Sequence, residues 1–210
     1  MRDRNAPLSA ATIDSLAWDK MEGMLPAIVQ DGATARVLML GYMNREALAA
    51  TLDSGFVTFF SRSKQRLWQK GETSGNRLAL RSVHADCDDD ALLIRAQPEG
   101  PTCHLGTASC FGEDGSPGAA WLGHLQEVVQ ERADAPPEQS YTARLLASGL
   151  PRVAQKVGEE GVETALAAVT ADEEALAGEA ADLLYHLIVL LHARGLALED
   201  VVKVLEQRHR

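Results

Sequence analysis

The stretch Gly112-Glu113-Asp114-Gly115-Ser116-Pro117-Gly118 decides how the rest of the chain is read. It carries no apolar side chain, and its glycines, proline and serine favour an exposed connection over a packed element. Composition changes across it. Residues 1–118 hold all three cysteines and 7 of the 10 aromatic residues, whereas residues 119–210 hold 32 Ala and Leu in 92 positions. The expectation is two domains of different class, residues 1–112 and 119–210, joined by a linker at 113–118.

Upstream, residues 25–29, 36–43, 56–61, 77–86 and 91–96 are short β-prone segments separated by Asp-Gly, Gly or charged turns. Asn44 is placed to cap a helix that Gly55 closes. A mostly β, α+β domain is expected. Downstream, residues 119–132, 141–147, 153–170, 172–192 and 198–209 read as helices punctuated by Pro136-Pro137, Gly149-Leu150-Pro151, Ala171-Asp172 and Gly195. These form an all-α bundle.

Charge narrows the partners. The 30 acidic residues exceed the 20 basic ones, giving a net charge of −10, and the pI is near 5.0. That field repels both nucleic acid and anionic lipid, so neither is expected as a partner, and a phosphate-bearing ligand needs local basic groups or a bridging metal. The longest unbroken apolar run, residues 187–191, falls far short of the roughly 20 residues of a membrane span. The first residues, Met1-Arg2-Asp3-Arg4-Asn5-Ala6-Pro7, lack the apolar core of a secretory signal. A cytoplasmic location is expected, where an odd number of cysteines points to buried thiols, a metal site or a reactive thiol rather than disulfides.

Cys87, Cys103 and Cys110 are spaced unlike a structural zinc finger. Three thiolates leave open the fourth position that catalytic zinc needs to bind and acidify water; inert buried thiols are the alternative. Cys87 lies within Asp86-Cys87-Asp88-Asp89-Asp90, after a β-prone segment. If the strand continues, Asp86, Asp88 and Asp90 point to one face and Cys87 to the other, which suggests a hard Mg²⁺ site and a Zn²⁺ site back to back. An EF-hand is rejected, because Ala91 and Gln97 stand where that loop needs Gly and Glu. His104 and His84 are candidate ligands or general bases. The loop Lys70-Gly71-Glu72-Thr73-Ser74-Gly75-Asn76, with Arg62 and Ser63 ahead of it, offers cationic, hydroxyl and amide groups suited to phosphate or ribose.

In the second half, Glu159, Glu160 and Glu163 share a broad helical face three residues beyond Lys156, and Glu179, Asp182 and His186 share a face of the next helix. Asp182 lies in a strongly apolar segment, where a carboxylate should be paired or metal-bound. A solvated surface is the usual explanation for one Glu-rich helix, but five carboxylates on two facing helices suit a cage for Mg²⁺ that would bridge to a polyphosphate. A di-iron site takes Glu-x-x-His pairs, and neither of these two helices has one.

With these residues in view, the chain resembles the bifunctional phosphoribosyl-AMP cyclohydrolase/phosphoribosyl-ATP pyrophosphatase family of histidine biosynthesis. The first half is similar through Tyr42-Met43-Asn44-Arg45-Glu46-Ala47-Leu48, Ser61-Arg62-Ser63, Trp68 with Lys70 to Asn76, Asp86 to Asp90, and Cys103-His104-Leu105-Gly106 through Cys110. The second is similar through Ser140-Tyr141-Thr142, Lys156-Val157-Gly158-Glu159-Glu160 with Glu163, and Glu179 through His186. The resemblance implies zinc on Cys87, Cys103 and Cys110, with Cys87 supplied by the other subunit of a homodimer. It also implies Mg²⁺ on Asp86, Asp88 and Asp90, and Mg²⁺ on Glu159, Glu160, Glu163, Glu179 and Asp182. His104, Glu160 and Glu163 are the candidate catalytic groups, and Arg62, Ser63, Lys70, Glu72, Ser74, Asn76 and Lys156 the candidate substrate contacts. The implied reactions are hydrolysis of phosphoribosyl-ATP to phosphoribosyl-AMP and pyrophosphate, then hydrolytic opening of the adenine ring. Leu105 and Gly161 depart from the family's usual Thr and Ala. The rivals are a general Mg-dependent nucleotide pyrophosphohydrolase with a zinc-stabilised accessory domain, and a non-enzymatic zinc-linked dimerisation module.

Overall fold

In the computed structural model, which describes residue 3, residues 6–112 and residues 118–209, the chain packs as two units, Met1–Trp121 and Leu122–Arg210. Residues 113–117 of the expected linker lie outside the described residues.

The first unit is built on alternation. In β1 (Leu25–Asp31), Leu25, Ala27 and Val29 are buried while Ile28 faces outward, the pattern of a sheet with one covered face. β1 pairs antiparallel with β2 (Val37–Met43) and parallel with β6 (Leu92–Pro98), which pairs antiparallel with β5 (Leu78–Ala85). The order is β2-β1-β6-β5. Helix α1 (Arg45–Ser54) starts where expected, with the Asn44 side chain accepting from Ala47 N–H, and ends at Gly55 in the left-handed region. It leads to a hairpin of β3 (Thr58–Ser61) and β4 (Arg66–Gln69), stacking Phe59 on Trp68 with ring centroids 5.7 Å apart. Leu25, Leu48, Phe59, Leu78 and Ile94 form its core with Trp18. Trp18 belongs to a short 3₁₀ turn, Trp18–Met21, whose indole N–H donates to the Ile13 carbonyl.

The second unit is helical: α2 (Trp121–Ala133), α3 (Tyr141–Ala147), α4 (Leu150–Thr170), α5 (Glu173–Ala193) and α6 (Leu198–Arg208). Ser140 and Asp172 cap α3 and α5 by accepting from Ala143 and Ala175 N–H. Helix α4 starts three residues before the expected 153, because Pro151 sits in its first turn, where a missing N–H costs nothing. Val129, Leu145, Val153, Ile188 and Val189 form a separate core. By length and mean hydropathy α5 is long and apolar enough to cross a bilayer, which the run-length argument did not reveal. It contributes Ile188 and Val189 to the core of this unit, while only 17% of its apolar stretch is buried.

Candidate active sites

Two loops meet at a cleft of about 380 Å³ in the first unit. One is the 70–76 loop, held by four ties. Arg66 on β4 grips the Glu72 carboxylate at 2.5 and 3.1 Å, Gly75 N–H donates to the Gly71 carbonyl, Asn76 N–H donates to Ser74 Oγ, and Lys70 Nζ donates to the Asn76 carbonyl at 3.2 Å. Gly71 is required here: its φ is +84°, and a Cβ would lie 2.5 Å from the Asn76 backbone. The other loop carries the thiols. Cys103 is folded into a turn by N–H donation to the Thr107 carbonyl, and Cys110 N–H donates to the Leu38 carbonyl of β2. Ser109 Oγ reaches the Val37 and Leu38 carbonyls.

Cys103, Cys110, His104, Lys70, Glu72, Ser74 and Asn76 therefore line one cleft, whereas Arg62 and Ser63 do not. Arg62 lies over the Tyr42 ring at 4.0 Å, and Ser63 Oγ is 3.4 Å from Ser61 Oγ. Hydrogen bonds from the Leu105 backbone and the Thr107 hydroxyl hold the Cys103 thiol below its usual range, while burial and the neighbouring Cys103 push Cys110 up. Buried Lys70 is pushed down by desolvation and pulled back by the two thiols it faces. Thr102, also lining the cleft, is the one described residue whose buried side-chain polar atom lacks a hydrogen-bond partner. His84 is set apart, with Nε2 3.2 Å from Ser82 Oγ.

The acidic stretch corrects one expectation. Strand β5 ends at Ala85, and residues 86–91 turn back into β6, with Asp89 at φ +62° and the Asp86 carboxylate accepting from Asp90 and Ala91 N–H. Alternating faces do not survive in a turn, so Asp86, Cys87 and Asp88 bring their ligand atoms within 4.8 Å of one another. Cys87, Cys103 and Cys110 form no such group within one chain, among the described residues. Lys20, which the sequence reading passed over, places its ammonium 2.7 Å from Asp88 and 3.4 Å from Asp90.

On the helical hairpin, carboxylate oxygens of Glu160, Glu179 and Asp182 lie within 4.8 Å of one another. The buried member is Glu160, and Asp182 is exposed, which reverses the burial expected from the apolar run around it. Lys156 Nζ pairs with Glu160 at 2.5 Å and holds its carboxyl well below the usual range. Glu159 turns to Arg152, Gln155 and Lys156 instead. Glu163 is pushed up by desolvation and by Glu160 and Glu179. Behind them lies buried His186. Its Nδ1–H donates to the Asp182 carbonyl at 2.9 Å, which leaves Nε2 to accept from Tyr141 OH at 3.1 Å.

The donor sets fit metals of different kinds. Paired thiols beside an orphaned buried hydroxyl suit a soft ion, and clustered carboxylates already holding a lysine ammonium suit a hard cation. A thiol-lined cleft on one unit and an oxygen cluster on the other make this a chain with two chemically distinct candidate sites. The phosphoribosyl-AMP cyclohydrolase family matches residues 39–112, and the phosphoribosyl-ATP pyrophosphohydrolase family matches residues 122–209. The histidine biosynthesis bifunctional protein HisIE of Xanthomonas axonopodis pv. citri is 61% identical, covering 95% of this chain and 97% of its own length. That of Escherichia coli K12 is 58% identical over 93% and 96%, and that of Vibrio cholerae 54% over 96% and 97%. The chain belongs to this family of bifunctional histidine-biosynthesis hydrolases, with a cyclohydrolase domain followed by a pyrophosphohydrolase domain.

Proposed function

We propose that the two domains, residues 1–112 and 119–210 about a linker at 113–118, act in sequence on one metabolite. The helical domain cleaves phosphoribosyl-ATP to phosphoribosyl-AMP and pyrophosphate, and the β-rich domain then opens the adenine ring. Glu160, Glu179 and Asp182, with Glu163 beside them, would hold a magnesium ion that would polarise the phosphate chain, and Glu159 would join them on leaving Arg152, Gln155 and Lys156. Lys156 keeps Glu160 ionised and meets the phosphates. Glu163, whose carboxyl is pushed up by desolvation and by Glu160 and Glu179, orients the attacking water.

Ring opening needs hydroxide at C6, made electrophilic by ribosylation at N1. Cys87, Cys103 and Cys110 would hold a zinc ion, which would supply it by lowering the pKa of water to about 7. His104, beside Cys103, shuttles the proton toward N1 as the C6–N1 bond breaks. Lys70, Glu72, Ser74 and Asn76 hold phosphate and ribose, with Arg62 and Ser63 as further phosphate contacts, and Asp86, Asp88 and Asp90 bind magnesium. The resemblance implies that Cys87 is supplied by the second subunit of a homodimer, and the absence of a Cys87–Cys103–Cys110 group within one chain, among the described residues, is in keeping with it. A reducing cytoplasm keeps the three thiols available.

The observation that carries this reading is the convergence of the 70–76 loop and the Cys103–Cys110 segment on one cleft. Ultraviolet absorbance with phosphoribosyl-AMP tests it. Cys87→Ala and Cys103→Ala are each expected to lose zinc and ring opening while still releasing pyrophosphate from phosphoribosyl-ATP. Unfolding and refolding the two variants together restores part of the ring-opening activity, since mixed dimers hold one intact zinc site. No restoration removes the shared site, and full activity of zinc-free Cys103→Ala removes the mechanism.

A further inference from the structure

Two of the three aspartates read as a magnesium site are already engaged. Lys20 Nζ lies 2.7 Å from Asp88 Oδ2, 3.4 Å from Asp90 Oδ2 and 3.3 Å from the Asp88 carbonyl. The third, Asp86, spends one oxygen on the turn itself by accepting from Asp90 and Ala91 N–H. Four aspartates within five residues repel one another, and Lys20 is the cation that offsets this.

The lysine is delivered by a fixed piece of chain. Trp18 of the same 3₁₀ turn is 1% exposed and anchored through its indole N–H, and Ala17 N–H donates to the Asp89 carbonyl at 2.8 Å. The segment that carries the ammonium therefore also grips the backbone of the acidic turn. The ion pairs are half exposed, and such pairs contribute at most about 1 kcal/mol to stability. An ammonium and a divalent ion cannot both sit between Asp88 and Asp90, because like charges in contact repel.

We propose that Lys20 is the resident counter-cation of the 86–90 turn: it keeps the empty turn in shape and must be displaced by the incoming divalent ion, so this lysine sets the turn's metal affinity. The inference rests on the magnesium reading of Asp86, Asp88 and Asp90. It makes the N-terminal segment a specificity element, since any ion that cannot outcompete a tethered ammonium is excluded.

Calorimetric titration of the full chain with MgCl₂, in an Asp182→Asn background that silences the helical site, tests it. Lys20→Met is expected to tighten magnesium binding roughly fivefold, the equivalent of one displaced surface ion pair. The same change lowers the metal-free melting temperature, and saturating magnesium erases the difference. Binding that is unchanged or weaker in Lys20→Met, yet abolished by Asp88→Asn, keeps the magnesium site and overturns the role of Lys20. No binding in any variant removes the magnesium site and the inference with it.

Discussion

Thr102 bears a cost that the other described residues of the cyclohydrolase unit avoid. A buried hydroxyl without a partner is worth about 1–3 kcal/mol of lost stability, and it sits directly before Cys103. Thr102→Val, of the same shape, is expected to raise stability by about 1 kcal/mol while slowing ring opening and sparing pyrophosphate release. Chemical denaturation alongside both assays checks this, and unchanged ring opening would make the hydroxyl dispensable. Glu160 gives a pH signature. Its carboxyl is depressed first by the Lys156 hydrogen bond, so the stability it contributes is present above the ordinary glutamate value of about 4.3 and is lost as pH falls through the depressed one. Glu163 has the opposite sign: its raised carboxyl favours acid, and that contribution fades as pH rises. Lys156→Met is therefore expected to lower magnesium-free stability at neutral pH and to flatten its fall in acid. The two proteins should converge at low pH in urea melts.

At the scale of elements, the helices were legible and the hairpin was not. The period of apolar residues and the cap at Asn44 announce helix starts, because a capping side chain leaves a local trace, and the structure adds caps at Ser140 and Asp172. Strand β4 is Arg-Leu-Trp-Gln, four residues with too few alternations to signal a strand, and it exists because it pairs with β3. The turn at residues 86–91 was misread for a related reason. Its conformation follows from Asp86 accepting two backbone donors, a contact that strand periodicity does not encode. The grouping of Glu160 with Glu179 and Asp182 was legible from helical spacing, whereas Lys20 and Arg66, which pair with Asp88 and Glu72, come from distant or unmarked positions and leave no spacing signal. Helix α4 offers a simple test. A Cβ at Gly161 would meet nothing within 4 Å, so Gly161→Ala is expected to add up to about 1 kcal/mol to the helical unit, read as a higher melting temperature.

Across the whole molecule, the two cores share no residue, and each activity belongs to one of them. Residues 1–112 and 119–210 are expected to fold when expressed separately, each with its own activity. Circular dichroism and the two assays check this, and two insoluble halves would refute it. The unit that holds the thiols has a further property. Strand β2 ends the order β2-β1-β6-β5, and an edge strand offers its open carbonyls to any passing chain. Here the Leu38 carbonyl is taken by Cys110 N–H and the Val37 carbonyl by Ser109, so the segment bearing two of the thiols is also the selvedge of the sheet. When that segment is pulled off the edge, the fabric frays: the Val37 and Leu38 carbonyls are left open, and self-association through β2 is the expected result, read as light scattering.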